Sequence, residues 1–218
     1  MKDASDAILN AQQAAYLEGI EPPRDALLVE METYAREHGD PISDPEVASF
    51  MAVTARAAAP KRIVELGTNI GYGAIVLARA AGPDARVVTF ENDPKTVAIA
   101  RGFIARAGLA DRIDVRQGDA VAELAALTGE IDLVYVDCVK EDYPRYLELA
   151  IPKLSARGVL IADNVLWKGL VAKSDLPAHE KVRVEALRAF NLALLTDPRL
   201  RGVVLPLGDG VGYAVRQG

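Results

Sequence analysis

Apolar positions along the chain change their period once. Up to about residue 58 they recur at helical spacing in three stretches, about 4–18, then 23–38 after Pro22-Pro23, then 44–58 opened by Asp44-Pro45. An acid followed by proline is a typical way to start a helix. From Lys61 onward short β-rich runs (RIVEL, RVVTF, RIDVR, IDLVYVD, GVLIAD) alternate with Ala- and Leu-rich helical stretches. That rhythm predicts an α/β, doubly wound architecture: a mostly parallel sheet with helices on both faces. The final run, RGVVLPLGDGVGYAVRQ, departs from it. Two strands around Gly208-Asp209-Gly210 predict a C-terminal antiparallel hairpin. The pattern reads as one domain over 1–218, with extra N-terminal helices over 1–58 and the sheet-bearing core over 61–218.

In such sheets ligands bind beyond the carboxyl ends of the strands. The residues expected there are Glu65 and Gly67, Glu91, Asp119, Asp137, and Asp163 with Asn164. The first of these ends, VELGTNIGYGA, carries Gly67, Gly71 and Gly73 between strand and helix, where glycine lets the backbone turn and approach a ligand. It is not the G-x-G-x-x-G of a dinucleotide site, because Asn69 stands in the second glycine's place. Glu65 would place a carboxylate beside any phosphate but suits a ligand bearing an ammonium and a sulfonium. Glu91 can accept hydrogen bonds from ribose hydroxyls, and Asp119 with the Ala120 N–H can read an adenine edge. Each acid alone is equally a solvated strand end, and the glycines alone a plain turn. Together, in this order, they form a candidate site for S-adenosylmethionine.

The fourth and fifth strand ends carry Asp137 and Asp163-Asn164. Two carboxylates and an amide oxygen, without His or Cys, suit a hard cation such as Mg²⁺ or Mn²⁺, with Ca²⁺ a further option. The alternative is that Asp163 caps the following turn while Asp137 pairs with a lysine. Lys140 is a candidate general base, or one half of a salt bridge. Trp167 is a candidate aromatic wall for a flat substrate, or ordinary packing. Cys138 reads as a small buried residue, with no histidine near it in sequence.

Composition narrows the class. Of 218 residues, 50% are hydrophobic and 26% charged, the balance of a globular protein. No apolar run approaches the roughly 18 residues of a membrane span, and the polar start MKDASDAILN lacks an apolar signal region. One cysteine precludes an internal disulfide and suggests the cytoplasm. With only His38 and His179 besides, a zinc site is not expected. A formal charge of −6 argues against a broad nucleic-acid surface.

These motifs resemble the metal-dependent class I O-methyltransferases, the catechol and caffeoyl-CoA O-methyltransferase family, from about Ser43 to Arg216. The strongest marks are ELGTNIGYG, the D-N-x-x-W-x-G of Asp163 to Gly169, and Pro206-Leu-Gly-Asp-Gly. The resemblance implies a Rossmann-like fold. It also implies cofactor contacts at Ser43, Glu65, Gly67, Thr68, Gly73, Glu91 and Ala120, with Asp119 nearby. Asp137 borders cofactor and metal alike. Metal ligands fall on Asp137, Asp163 and Asn164, a substrate contact on Lys168, and the catalytic lysine of the catechol branch on Lys140. Two departures matter. Gly73 stands where many members carry serine, and Asp137-Cys-Val-Lys140 replaces the D-A-D-K of the caffeoyl-CoA branch.

The implied reaction is in-line methyl transfer to a hydroxyl of a small catechol-like aromatic, with Lys140 removing the proton. The polar segment LVAKSDLPAHEK is expected to form a lid, and a homodimer is what the family suggests. One rival acceptor is a hydroxylated tRNA base. An NAD-dependent oxidoreductase is disfavoured by Glu65 and the missing glycine motif, and an inert binding module by the metal triad of Asp137, Asp163 and Asn164 beside Lys140.

Overall fold

The computed structural model describes residues 11–20 and 23–218. Helices α1 (Ala11–Ile20), α2 (Ala26–His38) and α3 (Pro45–Ala58) come first. Alternation follows: β1 (Arg62–Leu66), α4 (Tyr72–Ala81), β2 (Arg86–Glu91), α5 (Pro94–Arg106), β3 (Ile113–Gln117), α6 (Ala120–Ala126), β4 (Ile131–Val136), α7 (Tyr143–Ala150) and β5 (Leu154–Ala162). Then α8 (Lys181–Thr196), β6 (Leu200–Leu205) and β7 (Val211–Arg216) close the chain. The seven strands form one sheet in the order β3-β2-β1-β4-β5-β7-β6, parallel except for β7, which runs antiparallel to both neighbours.

The central strands are apolar on both sides because both sides are covered. Ile63, Leu133, Tyr135 and Ile161 pack with residues of α2 to α5, among them Met31, Met51, Ile75 and Phe103. Their neighbours Val64, Leu66, Val134, Val136 and Leu160 pack with residues of α6 to α8, among them Leu124, Tyr143, Leu187 and Phe190. The strand order reverses between β1 and β4, which pair directly although five elements, α4, β2, α5, β3 and α6, separate them in the chain. That switch point opens a crevice at the strands' carboxyl ends.

The predicted elements are present, with shifted edges. Of the helix expected over 4–18, α1 covers the described part, and residues 1–10 lie outside the described residues. The second begins at Ala26, because Asp25 caps it by accepting from the N–H groups of Leu27 (2.9 Å) and Leu28 (3.1 Å). Asp44 holds the N-cap position of α3 without a side-chain capping bond, and Pro45 opens the helix. β5 starts four residues before the expected GVLIAD. Leu154 pairs with Ile131, the ladder slips, and pairing resumes at Val159 with Leu133. Arg157, with φ of 66°, takes up the extra residues, so a strand with turn-like sequence in its middle escapes a reading by pattern. The hairpin is formed, and β7 inserts between β5 and β6.

Gly67 makes the close approach at the switch point possible. It has φ of +94°, and a Cβ there would lie 2.1 Å from the Asp137 carbonyl oxygen, a backbone atom that cannot swing away. Gly67→Ala is expected to cost more than about 2 kcal/mol, since strain and clash add. Gly39→Ala, at φ of +75° with open space around it, should cost only about 1 kcal/mol. Chemical denaturation of the two variants checks this; equal losses would mean that the β1–β4 contact yields.

Candidate active site

Over the carboxyl ends of β1, β2, β4 and β5 lies a cavity of about 630 Å³, of a size suited to a cofactor with a small substrate. Residues 40–43, just before α3, form part of its wall, and Asn69 Nδ2 holds them by donating to the Pro41 carbonyl. Of the sequence-predicted residues, Ser43, Glu65, Gly67, Thr68, Gly73, Glu91, Asp137, Lys140, Asp163, Asn164 and Trp167 line this one cavity.

Four do not. Gly71 sits at the N-terminus of α4 and packs toward Ile104 and Ala100 of α5. Asp119 caps α6, accepting from the Ala122 N–H at 2.9 Å, and Ala120 behind it is buried in the core. Lys168 is exposed, and its backbone N–H donates to Asp209 Oδ1 at 2.6 Å.

At the β1 and β2 end the polar groups are tightly constrained. Glu65 projects to the α4 side of the sheet and is 1% exposed. Its Oε2 accepts from Thr89 Oγ1 at 2.6 Å, so Thr89, having spent its proton, accepts from Thr68 Oγ1 at 2.6 Å. Burial pushes Glu65 up to about 8, with the Thr89 hydrogen bond opposing and the charges of Asp137 and Glu91 adding smaller increases. A buried carboxyl of this kind is neutral at pH 7 until a cation comes beside it. A Cβ at residue 73 would fall 2.3 Å from Glu65 Oε1, so Gly73 gives the carboxyl the room it occupies. Glu91 is fixed by backbone: Oε2 accepts from the Asn69 N–H (3.0 Å), Oε1 from those of Asn92 (2.9 Å) and Asp93 (3.1 Å). A carboxylate so held is an ordered acceptor for a ligand's hydroxyls.

At the β4 and β5 end the two aspartates stand side by side because their strands do. The Asp137 N–H bonds Leu66 O and the Asp163 N–H bonds Val136 O, each at 2.9 Å, so the ladder continues one step past each strand. Asn164 takes φ of +58°, a conformation asparagine tolerates, and its N–H donates to Asp163 Oδ1 at 2.7 Å. Asp163 is 1% exposed; burial, then the Asp137 charge, push it up to about 7. Lys140 Nζ lies 2.7 Å from Asp137 Oδ1 and 5.1 Å from the centre of the Tyr143 ring. Burial would lower this lysine, but Asp137 and Tyr143 outweigh it and hold the ammonium above its ordinary range. Asp137 thus pairs with a lysine, one of the two alternatives its sequence allows.

Could these oxygens hold a divalent cation? Among the described residues no three His, Cys, Asp or Glu side chains gather in a metal-binding group, so the set depends on the Asn164 amide. The donor chemistry fits. Two neighbouring carboxylates, one buried and disfavoured as an anion by the other, are relieved by positive charge between them, a part that Lys140 takes here.

Several groups had no signature of their own. Tyr135, Tyr143 and Arg183 escaped the motif reading. A tyrosine in an otherwise apolar parallel strand was the available signal for Tyr135, because a buried phenol needs a partner. Arg183 reaches the cavity wall with its guanidinium 4.8 Å from the Trp167 ring centre. Glu180 Oε2 accepts from both Trp167 Nε1 (2.8 Å) and Arg183 Nη1 (3.1 Å), and Glu141 lies 3.2 Å from Arg183 Nη2. The segment expected as a lid contains two short 3₁₀ turns, and Arg188 fastens it through the carbonyls of Val171 and Lys173. Cys138 is inert by environment, its thiol pushed up by burial.

Known proteins are similar to this chain in sequence and in fold. A catechol O-methyltransferase of Mycobacterium tuberculosis is 43% identical over 129 residues, a match spanning 58% of each chain. A catechol O-methyltransferase of Niastella koreensis is 35% identical over 202 residues, covering 88% of this chain and 90% of the relative. The SAH-bound structure of a methyltransferase from Podospora anserina superposes with a TM-score of 0.86 at 32% identity, over 96% of this chain and 97% of the other. The SAH complex of an O-methyltransferase from Bacillus cereus gives 0.82 at 29% identity, over 94% and 97%. The family model described as O-methyltransferase matches residues 26–217, and the chain belongs to that family.

Proposed function

We propose that the protein transfers a methyl group from S-adenosylmethionine to a hydroxyl of a small catechol-like aromatic, with a divalent cation assisting. One observation carries this reading. The β1–β2 end, with an ordered carboxylate and a buried carboxyl, and the β4–β5 end, with two aspartates and a lysine, belong to one cavity and meet where Gly67 touches Asp137.

S-adenosylmethionine brings the methyl on a sulfonium. Glu91 accepts from its ribose hydroxyls. Glu65, once it gives up its proton, offers a buried anion to its ammonium, and Ser43 and Thr68 complete the polar wall. Asp119 and Ala120 contribute the α6 N-terminus behind the adenine, outside the cavity proper. Asp137, Asp163 and Asn164 would hold a Mg²⁺ or Mn²⁺ ion, which would supply positive charge beside the substrate hydroxyl. Lys140 Nζ accepts the hydroxyl proton. Asp137 and Tyr143 hold this amine charged against burial; a cation that took up the Asp137 carboxylate would remove one of these two supports and shift the balance toward the neutral amine. Trp167, stiffened by Glu180 and Arg183, gives a flat face for the acceptor ring.

The relatives named catechol O-methyltransferase support this acceptor class. A nucleic-acid acceptor would call for a basic rim. The lining instead carries Asp40, Glu65, Glu91, Asp137, Glu141 and Asp163 against Lys140 and Arg183, among the described residues. A turnover screen over catechols, monophenols and hydroxylated tRNA tests the assignment: methylation of catechols alone is expected, and methylation confined to tRNA overturns it. No helix among the described residues is long and apolar enough to cross a membrane.

Lys140→Met keeps the stem and removes the base, and should lower kcat by roughly 10²–10⁴. The loss should shrink on nitrocatechols, whose hydroxyl is already acidic. Equal impairment on both substrates would assign Lys140 to orientation alone.

Glu65 gives a pH signature. Its folded pKa of about 8 lies above the unfolded value near 4.5. Between these limits the unfolded chain has lost the proton and the folded chain keeps it. The Glu65 contribution to stability should therefore be fully present below about pH 4.5 and be lost as pH rises toward 8, by at most about 1.4 kcal/mol per pH unit for one proton. Asp163, raised to about 7, adds a parallel slope below that pH. In denaturation curves Glu65→Gln should remove the part between pH 7 and 8. Binding of S-adenosylmethionine at pH 7 without metal should release a proton, read by calorimetry in buffers of different ionisation enthalpy. Binding without release would remove Glu65 from the ammonium's partners.

A further inference from the structure

Between the two ends of the cavity runs a buried chain of three polar groups. Tyr135, on β4, is 1% exposed and faces the same side of the sheet as Ile63 and Leu133. Its hydroxyl lies 2.7 Å from Ser43 Oγ and 3.3 Å from Asp163 Oδ2. A phenol has a single proton. With Asp163 ionised, Tyr135 donates that proton to Asp163 Oδ2, which leaves its oxygen to accept from Ser43 Oγ.

The ends of this chain have different owners. Ser43 belongs to the wall segment 40–43 on the side of Glu65 and Asn69. Asp163 belongs to the acidic pair, and its other oxygen is already tethered by the Asn164 N–H. Its backbone is tethered too, since Tyr143 Oη donates to the Asp163 carbonyl at 2.8 Å. The Oδ2 atom thus takes its orientation from Tyr135, and Tyr135 takes its own from Ser43. A phenylalanine here would fill the same volume and leave Asp163 Oδ2 and Ser43 Oγ without each other.

We propose that Tyr135 is a positioning residue that couples the wall segment 40–43 to the Asp163 carboxylate, so that filling the donor end orders the acidic pair. This rests on the reading of the site given above. Coupling between two ligands is reciprocal: whatever factor the first lends the second, the second lends the first. One relayed hydrogen bond should give a factor of about five.

The test measures binding, with Mn²⁺ and S-adenosylhomocysteine as probes and the full chain as the protein. Mn²⁺ affinity is read by electron paramagnetic resonance with and without S-adenosylhomocysteine. In the parent chain the thioether ligand should tighten Mn²⁺ about fivefold, and Mn²⁺ should tighten it by the same factor. In Tyr135→Phe the factor should fall close to one. Ser43→Ala should also abolish the coupling, while its Mn²⁺ affinity in the absence of the ligand stays nearer the parent's than that of Tyr135→Phe. A merely structural tyrosine would lower the melting temperature or weaken both ligands, yet leave the factor intact, and that result overturns the proposal. Should Tyr135→Phe fail to fold, full coupling in Ser43→Ala overturns it equally. A parent chain that binds both probes without coupling sinks the proposal and spares the function. One that binds neither sinks both.

Discussion

The arrangement depends on one contact, the approach of the β1 tip to the β4 tip at Gly67 and Asp137. With no Cβ between them, the backbone carbonyl of Asp137 lies against the glycine, and the two strands end side by side. The cavity's two chemical halves can therefore share a border. Any side chain at residue 67 would force the tips apart and separate a methyl donor from its acceptor by a distance that in-line transfer does not tolerate.

Burial of carboxyl groups follows from this closeness. Glu65 and Asp163 sit at the ends of apolar strands, under helices, each 1% exposed. Neither has a full counter-charge of its own in the free molecule. Glu65 has a threonine hydroxyl, and Asp163 has backbone and phenol donors with Lys140 serving the neighbouring Asp137. Isolated buried charges are costly, so both are pushed toward neutrality. Both are carboxyls whose ionisation a nearby cation would favour, in the proposed function an ammonium at Glu65 and a metal at Asp163. The lysine beside Asp137 is the intermediate case, a cation already in place that lessens the repulsion within the acidic pair.

Rigidity around these groups comes from ordinary backbone donors. Glu91 is gripped by three N–H groups and Asp163 by one, and Asn164 is held in a left-handed turn. Trp167 and Arg183 are linked through Glu180, and the connecting segment is fastened by Arg188. A site built in this way needs little rearrangement of these walls to accept a ligand, because the cost of ordering them is met in folding.

The sequence by itself determined the architecture and most of the cavity. Period-two apolar runs alternating with helical ones specify a covered parallel sheet, and such a sheet puts the residues after each strand at one edge. Glu65, Gly67, Glu91, Asp137, Asp163 and Asn164 were legible for that reason, since strand-end position is a local property. Only the tertiary structure decided which neighbours those residues meet. Asp119 and Ala120 end their strand as the pattern demands, yet the acid caps α6 and the alanine enters the core, because β3 is an edge strand away from the switch point. The β5 bulge, Tyr135 between Ser43 and Asp163, and Arg183 against Trp167 join residues from 16 to 92 positions apart. Such contacts are set by strand order and helix packing, and no periodicity in a single chain encodes them.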